Sequence, residues 1–309
     1  MNNIENYISQ LAKKYFNTQV DNIYYQKQPG GFSKVNNLCL SYQNQKFLLR
    51  CFPVNQRHDS RAKEILYTQT AADLKIAPEV HYVYAQQNYI LLAYVDGRTL
   101  NSADFSNQDM MIKISQLMSK LHLAKPPSDQ QAENLLQSSL SSLSQLNNHQ
   151  QWLKELDANS EIQHLENSLN NLPTSFSPIH HDPNPFNFLI DKHQNIYLID
   201  WTDAGCGQIG DDLSMLQLFD TTNSFKAANI FVSLRVFLLF CWSLLQAQRK
   251  SPSLIIEPND ILKSSNNSDS LQQTLFDIIE HKIPLTTSKD FLKLSPVFYN
   301  NYRRLLHDK

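Results

Sequence analysis

The chain contains 309 residues, of which 41% are hydrophobic and 18% are charged, and its formal net charge is −2. This length and apolar content allow one large domain or two lobes with a sizeable core, and they exclude an intrinsically disordered chain. The near-neutral charge argues against a general nucleic-acid binder, because such proteins carry a basic excess.

The cysteines and the apolar segments indicate a cytoplasmic protein. The four cysteines show no CxxC spacing, so neither a disulfide framework nor a zinc ribbon is predicted. Residues 1–16 have the pattern of an amphipathic helix and lack the order of a signal peptide. The longest apolar run, 230–245, is interrupted by Arg235 and is shorter than the ~18–20 residues of a membrane span. We therefore predict a buried helix there and no membrane span.

Glycine is unusually rare in this chain. Only six of the 309 residues are glycine, compared with about 7% in an average protein. In a chain so poor in glycine, the few that occur mark loops where a side chain is not tolerated. They fall in three short segments: Gly30 and Gly31, then Gly97, then Gly205, Gly207 and Gly210.

The first part of the chain is predicted to form a small sheet with one inserted helix. Alternating and apolar runs at 37–42 and 46–52 predict a β-hairpin, and a glycine pair precedes it. Residues 58–74 carry apolar side chains at spacings of three and four, which predicts a helix. Two further strands are predicted at 80–84 and 89–94, around a polar turn.

The remainder of the chain is predicted to be mostly helical. A helical pattern covers 108–123, and leucines recur through the polar stretch 128–172, which favours helices with polar faces. Residues 250–270 are predicted to form a loop because they contain two prolines and a Ser/Asn run. The change in character after the sheet predicts two domains, 1–95 and 96–309.

A polar loop followed by a hairpin is predicted within residues 177–201. Pro183 and Pro185 disfavour helix, so residues 180–187 are predicted to form a loop. Short strands are predicted at 188–190 and 196–199. The second strand leads directly into an Asp-Trp pair.

This loop and hairpin carry His180, Asp182, Asn187 and Asp200 in a defined order. In phosphoryl transfer, one carboxylate accepts or orients the proton of the attacking hydroxyl, while a second carboxylate and an amide oxygen hold the Mg²⁺ that bridges the nucleotide phosphates. The spacing matches the H-R-D-x-x-x-x-N loop of kinases, and Asp200 stands where the metal-binding Asp would stand.

With this order of motifs, the chain resembles the aminoglycoside phosphotransferase and choline kinase family over roughly residues 20–245, nearest to the choline/ethanolamine kinase-like members. The resemblance implies an α+β, bilobal protein-kinase-like fold. In that fold a small N-terminal lobe with an antiparallel sheet, 1–95, binds nucleotide. A larger, mainly helical C-terminal lobe, 96–309, carries the catalytic loop and the acceptor site. The implied cofactors are ATP, lying between the lobes, and Mg²⁺.

The resemblance also implies the nucleotide-binding residues. Arg50 ends a predicted strand and stands where kinases carry the Lys that contacts the α and β phosphates, and Glu64 on the next helix is its natural partner. Backbone amides of the glycine turn could approach phosphate oxygens. The residues implied for the phosphate turn, the cation and its partner, and the hinge are Gly30, Gly31, Ser33, Arg50, Glu64, Tyr94 and Asp96.

The same resemblance implies roles for the residues of the loop and hairpin. Asp182 would be the catalytic base, while Asn187 and Asp200 would be metal ligands. His180 and Asp212 would support the catalytic loop and would not react themselves.

Two positions depart from the family pattern. The Lys of the aminoglycoside enzymes is replaced by Arg50, which is usual in choline, ethanolamine and thiamine kinases. The acidic residue often found two places after the metal-binding Asp is Thr202, with Asp203 beside it. The first departure favours an amino-alcohol substrate, and the second leaves open whether Asp203 contacts metal or substrate.

The sequence therefore predicts a kinase that transfers the γ-phosphoryl group of MgATP to a hydroxyl of choline, ethanolamine or a similar amino alcohol. Thiamine and aminoglycosides are the alternative acceptors, although residues 271–309 lack the large acidic cluster expected for a polycationic aminoglycoside. A catalytically silent nucleotide-binding scaffold and a metal-dependent hydrolase remain alternatives of other classes. Formation of a homodimer and the choice between ATP and GTP stay open.

Overall fold

The computed structural model describes residues 2–28, 36–53, 55–84, 86, 88–127, 134–158, 161–172, 175–262 and 270–307. The N-terminal elements of the described chain are two helices and six strands, with a 3-10 turn at Val20–Asn22 ahead of the first strand. In chain order they are α1 (Asn2–Lys14), β1 (Tyr24–Lys27), β2 (Asn36–Tyr42), β3 (Gln45–Cys51), α2 (His58–Asp73), β4 (Val80–Val83), β5 (Tyr89–Ala93) and β6 (Gly97–Thr99).

Five of these strands form one antiparallel sheet in the order β1-β2-β3-β5-β4. β2 pairs with β3 along its whole length, so the predicted hairpin is confirmed. The strands predicted at 80–84 and 89–94 are confirmed by the pairing of β4 with β5. The amphipathic helix α1 packs against this sheet through Ile8 and Leu11, which share a buried core with Leu49.

The rest of the chain is mainly helical, as predicted, with four more short strands and a second 3-10 turn at Pro185–Asn187 among the described residues. In chain order the elements are α3 (Ser102–Phe105), α4 (Gln108–His122), α5 (Leu135–Ser144), α6 (His149–Ala158), α7 (Glu161–Asn170), β7 (Ser177–Ile179), β8 (Phe188–Asp191), β9 (Ile196–Leu198), β10 (Gly205–Gly207), α8 (Ile209–Phe219), α9 (Asn229–Lys250), α10 (Pro258–Leu262), α11 (Leu271–Ile279) and α12 (Ser288–His307).

The helix α9 lies at the centre of the helical core and packs against α5, α8 and α12. The rings of Phe237 and Tyr302 and those of Phe240 and Tyr299 meet between α9 and α12, with centroids 4.9 Å and 5.1 Å apart. By length and composition alone α9 could span a membrane, but 78% of its most apolar window is buried within the protein. A core helix has this character, so the prediction of a buried helix is confirmed.

One predicted loop is wrong in part. Residues 250–270 contain the short helix α10, whose first residue is Pro258, because proline is well tolerated in the first turn of a helix. Residues 263–269 lie outside the described part of the chain. The polar stretch 128–172 forms the predicted helices where it is described, as α5, α6 and α7.

The chain divides into two compact units. The first contains Met1–Thr99 and Asn187–Ala204, and the second contains Leu100–Phe186 and Gly205–Lys309. The first unit holds the five-stranded sheet and a second sheet in the order β6-β8-β9, and the second unit holds the β7-β10 pair. The predicted domain limits assign residues 187–204 to the second domain, whereas this division groups them with the first because β8 pairs with β6.

Candidate active site

A buried cation lies at the centre of the first unit. Arg50 on β3 is 7% exposed, and its Nε donates a hydrogen bond to Oε1 of Glu64 on α2 at 2.6 Å. Its Nη2 donates to Oδ1 of Asp200 at 2.8 Å and to the hydroxyl of Thr202 at 2.9 Å. The Thr202 hydroxyl in turn donates to Oδ1 of Asp200 at 2.7 Å. We call Arg50, Glu64, Asp200 and Thr202 the cation cluster.

Electrostatics keep the guanidinium of this cluster charged. Burial alone would lower the pKa of Arg50, but the carboxylates of Glu64 and Asp200 outweigh it and raise that pKa. Glu64 is only 1% exposed, so its charge is balanced inside the protein, whereas the side chain of Asp200 is 33% exposed. The cluster therefore combines a fixed positive charge with a carboxylate that solvent or a ligand can reach.

The backbone after β9 sets the direction of the Asp200 carboxylate. Asp200 has a φ of 63°, in the left-handed region that non-glycine residues seldom adopt. The buried Asn187 precedes the paired strand β8, and its carbonyl oxygen accepts the amide of Ile199 at 2.8 Å. The two ends of the β8-β9 hairpin thus place an amide side chain and a carboxylate side chain in the same unit.

The side-chain oxygens of Asn187 and Asp200 fit Mg²⁺, although oxygen donors of this kind also suit Ca²⁺ and Mn²⁺. Mg²⁺ prefers hard oxygen donors and is usually bound by one or two protein side chains together with substrate phosphates and water. Within the described ranges, no three His, Cys, Asp or Glu side chains are grouped so that they could hold a metal ion by themselves. Asn187 and Asp200 supply the amide and carboxylate oxygens that such a shared site requires.

The second unit contains the predicted catalytic loop. Asp182 is half-buried, and its Oδ2 accepts a hydrogen bond from the side-chain amide of Asn184 at 2.9 Å. Its backbone N–H donates to Nδ1 of the fully buried His180 at 3.3 Å. The residue between them, His181, has a φ of 73°, so the backbone turns sharply immediately before Asp182.

The buried Asp212 holds this loop by its backbone. Its two carboxylate oxygens accept the amides of His180 at 3.0 Å and His181 at 2.7 Å, and Oδ2 also lies 2.8 Å from Nε2 of His122. Burial favours the neutral acid, but the bonds from His122 and His180 outweigh burial and lower the pKa of Asp212. The carboxylate therefore stays ionised, and the loop amides stay paired.

The remaining predicted positions fall in two segments. Gly30, Gly31 and Ser33 lie outside the described residues. Between β5 and β6, Tyr94 is half-buried and Asp96 is exposed.

Gly97 follows in β6, at a close approach to the neighbouring strand. A Cβ atom there would lie 2.2 Å from the carbonyl oxygen of Ile190 in β8. This glycine is therefore required by the close pairing of β6 with β8.

The structure thus brings Arg50, Glu64 and Asp200 together in one unit, and His180, Asp182 and Asp212 together in the other.

Sequence reasoning missed the contacts of Thr202 and of His122. The sequence shows Thr202 only as a departure from an acidic residue of the family pattern and does not indicate its bonds. His122 carried no signal, because its partner lies 90 residues further along the chain.

Several solved structures of small-molecule kinases have a similar fold. A choline/ethanolamine kinase family protein from Mesorhizobium loti is 17% identical with a TM-score of 0.61, covering 95% of this chain and 99% of that chain. A choline kinase from Cryptosporidium parvum Iowa II is 15% identical with a TM-score of 0.59, covering 98% and 94%. Spectinomycin phosphotransferase APH(9)-Ia, solved with ADP and spectinomycin, is 12% identical with a TM-score of 0.52, covering 88% and 92%.

The fold is therefore α+β and kinase-like, as predicted. Residues 28–232, well over half of the chain, match the phosphotransferase enzyme family, APH. The chain belongs to this family, and the predicted resemblance is confirmed. No curated protein sequence is significantly similar to the chain.

Proposed function

We propose that the protein is an ATP-dependent kinase that transfers the γ-phosphoryl group of MgATP to a hydroxyl of a small molecule. The observation that carries the proposal is the position of Arg50, whose guanidinium contacts Glu64 and Asp200 at the same time. Phosphoryl transfer needs a cation for the nucleotide phosphates close to a carboxylate for the metal. The cation cluster supplies both groups within one unit.

In this proposal Arg50 binds the nucleotide phosphates, and Asn187 and Asp200 hold Mg²⁺. The ion, when bound, neutralises charge that develops on the phosphate oxygens. Glu64 fixes the guanidinium from the side of α2, so Arg50 needs little rearrangement to meet its ligand. Such preorganised charge is the main source of catalysis in phosphoryl transfer.

Asp182 is the proposed general base. The acceptor oxygen forms a bond to the γ-phosphorus, the bond from that phosphorus to the β–γ bridging oxygen breaks, and the hydroxyl proton passes to Asp182. The hydrogen bond from Asn184 orients the carboxylate. Asp212 fixes the backbone of the loop through the amides of His180 and His181, which holds the base in place before the acceptor binds.

The proposed acceptor is an amino alcohol such as choline or ethanolamine. Arg50, in place of the Lys of aminoglycoside enzymes, supports this choice. The similar folds of a choline/ethanolamine kinase family protein and a choline kinase also support it. Thiamine and aminoglycosides are the acceptors to compare.

The cysteines support a cytoplasmic location, which we propose as well. All four cysteines are buried: Cys39, Cys51, Cys206 and Cys241. Burial raises the pKa of Cys51 to about 12, so this thiol is unreactive. Reduced structural thiols are typical of cytoplasmic proteins.

The test is ADP release from MgATP with choline, ethanolamine, thiamine and several aminoglycosides as separate acceptors. We expect turnover with an amino alcohol, and we expect Asp182→Asn to lower kcat by about 100-fold or more because the general base is lost. The matched control is Asp109→Asn, which changes an exposed carboxylate of the same unit and leaves kcat unchanged.

Other results would change the assignment. Equal turnover of unrelated hydroxyl compounds contradicts the amino-alcohol class. Binding of MgATP without ADP release from any acceptor indicates a silent nucleotide-binding scaffold. Activity that needs a divalent metal but no nucleotide indicates a hydrolase.

A further inference from the structure

We propose that Arg235 is a positioning residue that fixes the peptide unit immediately before the proposed base Asp182; this inference rests on the proposed function. Arg235 lies on α9, where it interrupts the longest apolar run of the sequence. It is 2% exposed, and its neighbours Leu234 and Val236 are fully buried. A charged side chain in such a position is costly unless its donors are bound. Arg235 lies three residues beyond the end of the segment that matches the family, 28–232.

The guanidinium of Arg235 binds two backbone carbonyls. Its Nη2 donates to the carbonyl oxygen of His181 at 2.9 Å and to that of Asp211 at 2.8 Å. The first belongs to the catalytic loop and the second to the first turn of α8. Hydrogen bonds from a charged donor are stronger than neutral ones, and burial from water strengthens them further. Arg235 therefore ties α9, α8 and the catalytic loop together at one atom.

The bond to His181 acts directly on Asp182. The carbonyl of His181 and the amide nitrogen of Asp182 belong to the same planar peptide unit, so fixing one fixes the plane of the other. His181 itself has an unfavourable left-handed backbone, with φ of 73°, which persists only if the surroundings hold it. The N–H of His181 donates a hydrogen bond to Asp212 at 2.7 Å, and its carbonyl oxygen accepts one from Arg235. The residue is thus held from both sides.

Asp211 adds a second reason for a guanidinium here. Burial raises the pKa of its carboxyl to about 7, and Arg235 acts against this rise. One carboxylate oxygen lies 3.8 Å from Nδ1 of His181. The positive charge of Arg235 therefore favours ionisation of a buried carboxyl group that lies against the same loop.

The test compares Arg235→Met with Arg235→Lys, and with Arg249→Met as the matched control. Arg249 lies on the same helix but is exposed, and its Nη2 donates a hydrogen bond to the side-chain oxygen of Gln145 at 3.0 Å. The first readout is amide hydrogen exchange of residues 180–182 in the full chain without ligand. We expect Arg235→Met to speed this exchange about 10- to 100-fold, and we expect a smaller increase in Arg235→Lys, whose point-like ammonium retains the charge but not the planar fork.

The second readout is kinetic. With the acceptor that the wild type turns over, Arg235→Met is expected to lower kcat about 10- to 100-fold and leave KM for ATP unchanged, because the cation cluster lies in the other unit. Arg235→Lys should recover part of kcat. Arg249→Met should match the wild type in both readouts.

Wild-type exchange rates for residues 180–182 in a folded Arg235→Met protein would overturn the proposal. If Arg235→Met does not fold, Arg235→Lys decides: exchange equal to wild type and unchanged kcat overturn the proposal, and faster exchange with lower kcat supports it. If the wild type turns over no acceptor, the proposed function fails, and exchange alone still decides the role of Arg235.

Discussion

The pair formed by Arg50 and Glu64 predicts a measurable coupling in stability. The Nε–Oε1 distance is 2.6 Å, and both side chains are at least nine-tenths buried. Coulomb's law at an effective dielectric of ~20 gives about 6 kcal/mol of attraction at this distance, before the cost of desolvation. Arg50→Met leaves the carboxylate of Glu64 buried without its closest counter-charge, which should lower the free energy of unfolding by about 3–5 kcal/mol. The contact with Asp200 adds less, because that side chain is 33% exposed.

A double-mutant cycle isolates this pair. Arg50→Met, Glu64→Gln and the double variant are unfolded in urea, and the coupling energy is expected to be about 1–3 kcal/mol, with the double variant more stable than the sum of the single changes predicts. The matched control is the exposed pair of Arg57 and Asp59, 3.9 Å apart, for which the coupling energy should be zero within error. Additive effects at Arg50 and Glu64 would refute the reasoning.

Three further changes test other parts of the structure. Thr202→Val removes the hydroxyl that donates to Asp200, so the Mg²⁺ concentration for half-maximal activity should rise several-fold while Thr202→Ser stays near wild type. Gly97→Ala would place a Cβ 2.2 Å from the carbonyl oxygen of Ile190, and a urea titration should show a loss of about 1–3 kcal/mol. Asp211 has a pKa raised by burial from 3.8 to about 7, so the folded protein holds this proton while the unfolded chain releases it, and stability falls as pH rises between these values. Asp211→Asn should abolish that fall, and above pH 7 it should be more stable than the wild type by on the order of 2–4 kcal/mol. The prediction fails if thermal melts show the same dependence of stability on pH for the wild type and the variant.

Much of the fold could be predicted because its larger elements have regular hydrophobic patterns. The β2–β3 hairpin and the helix α2 were predicted from alternation and from spacings of three and four, and the buried run 230–245 predicted the core helix α9. The strands β6, β7 and β10 escaped prediction because each has only three residues, too few to show a period, and none of them belongs to the predicted hairpins.

The candidate site could be predicted only where its residues are near one another in sequence or belong to a known motif. The H-x-D-x4-N spacing located Asp182 and Asn187, and the family resemblance placed Arg50 beside Glu64, as the structure finds. The bonds of Arg235 to the loop could not be predicted, because they join residues 54 positions apart through a side chain that the pattern marked only as an interruption. Tertiary packing alone makes such contacts.

We propose above all that the protein transfers a phosphoryl group to a small-molecule hydroxyl, with Asp182 as the general base. The most direct test is mass spectrometry of the acceptor after incubation with MgATP, with ADP measured in the same sample. We predict that an amino alcohol gains one phosphoryl group, with one ADP formed for each, and that Asp182→Asn lowers the rate of formation of both products about 100-fold or more while Asp109→Asn does not. An unmodified acceptor accompanied by free phosphate, or equal phosphorylation by Asp182→Asn, would contradict it.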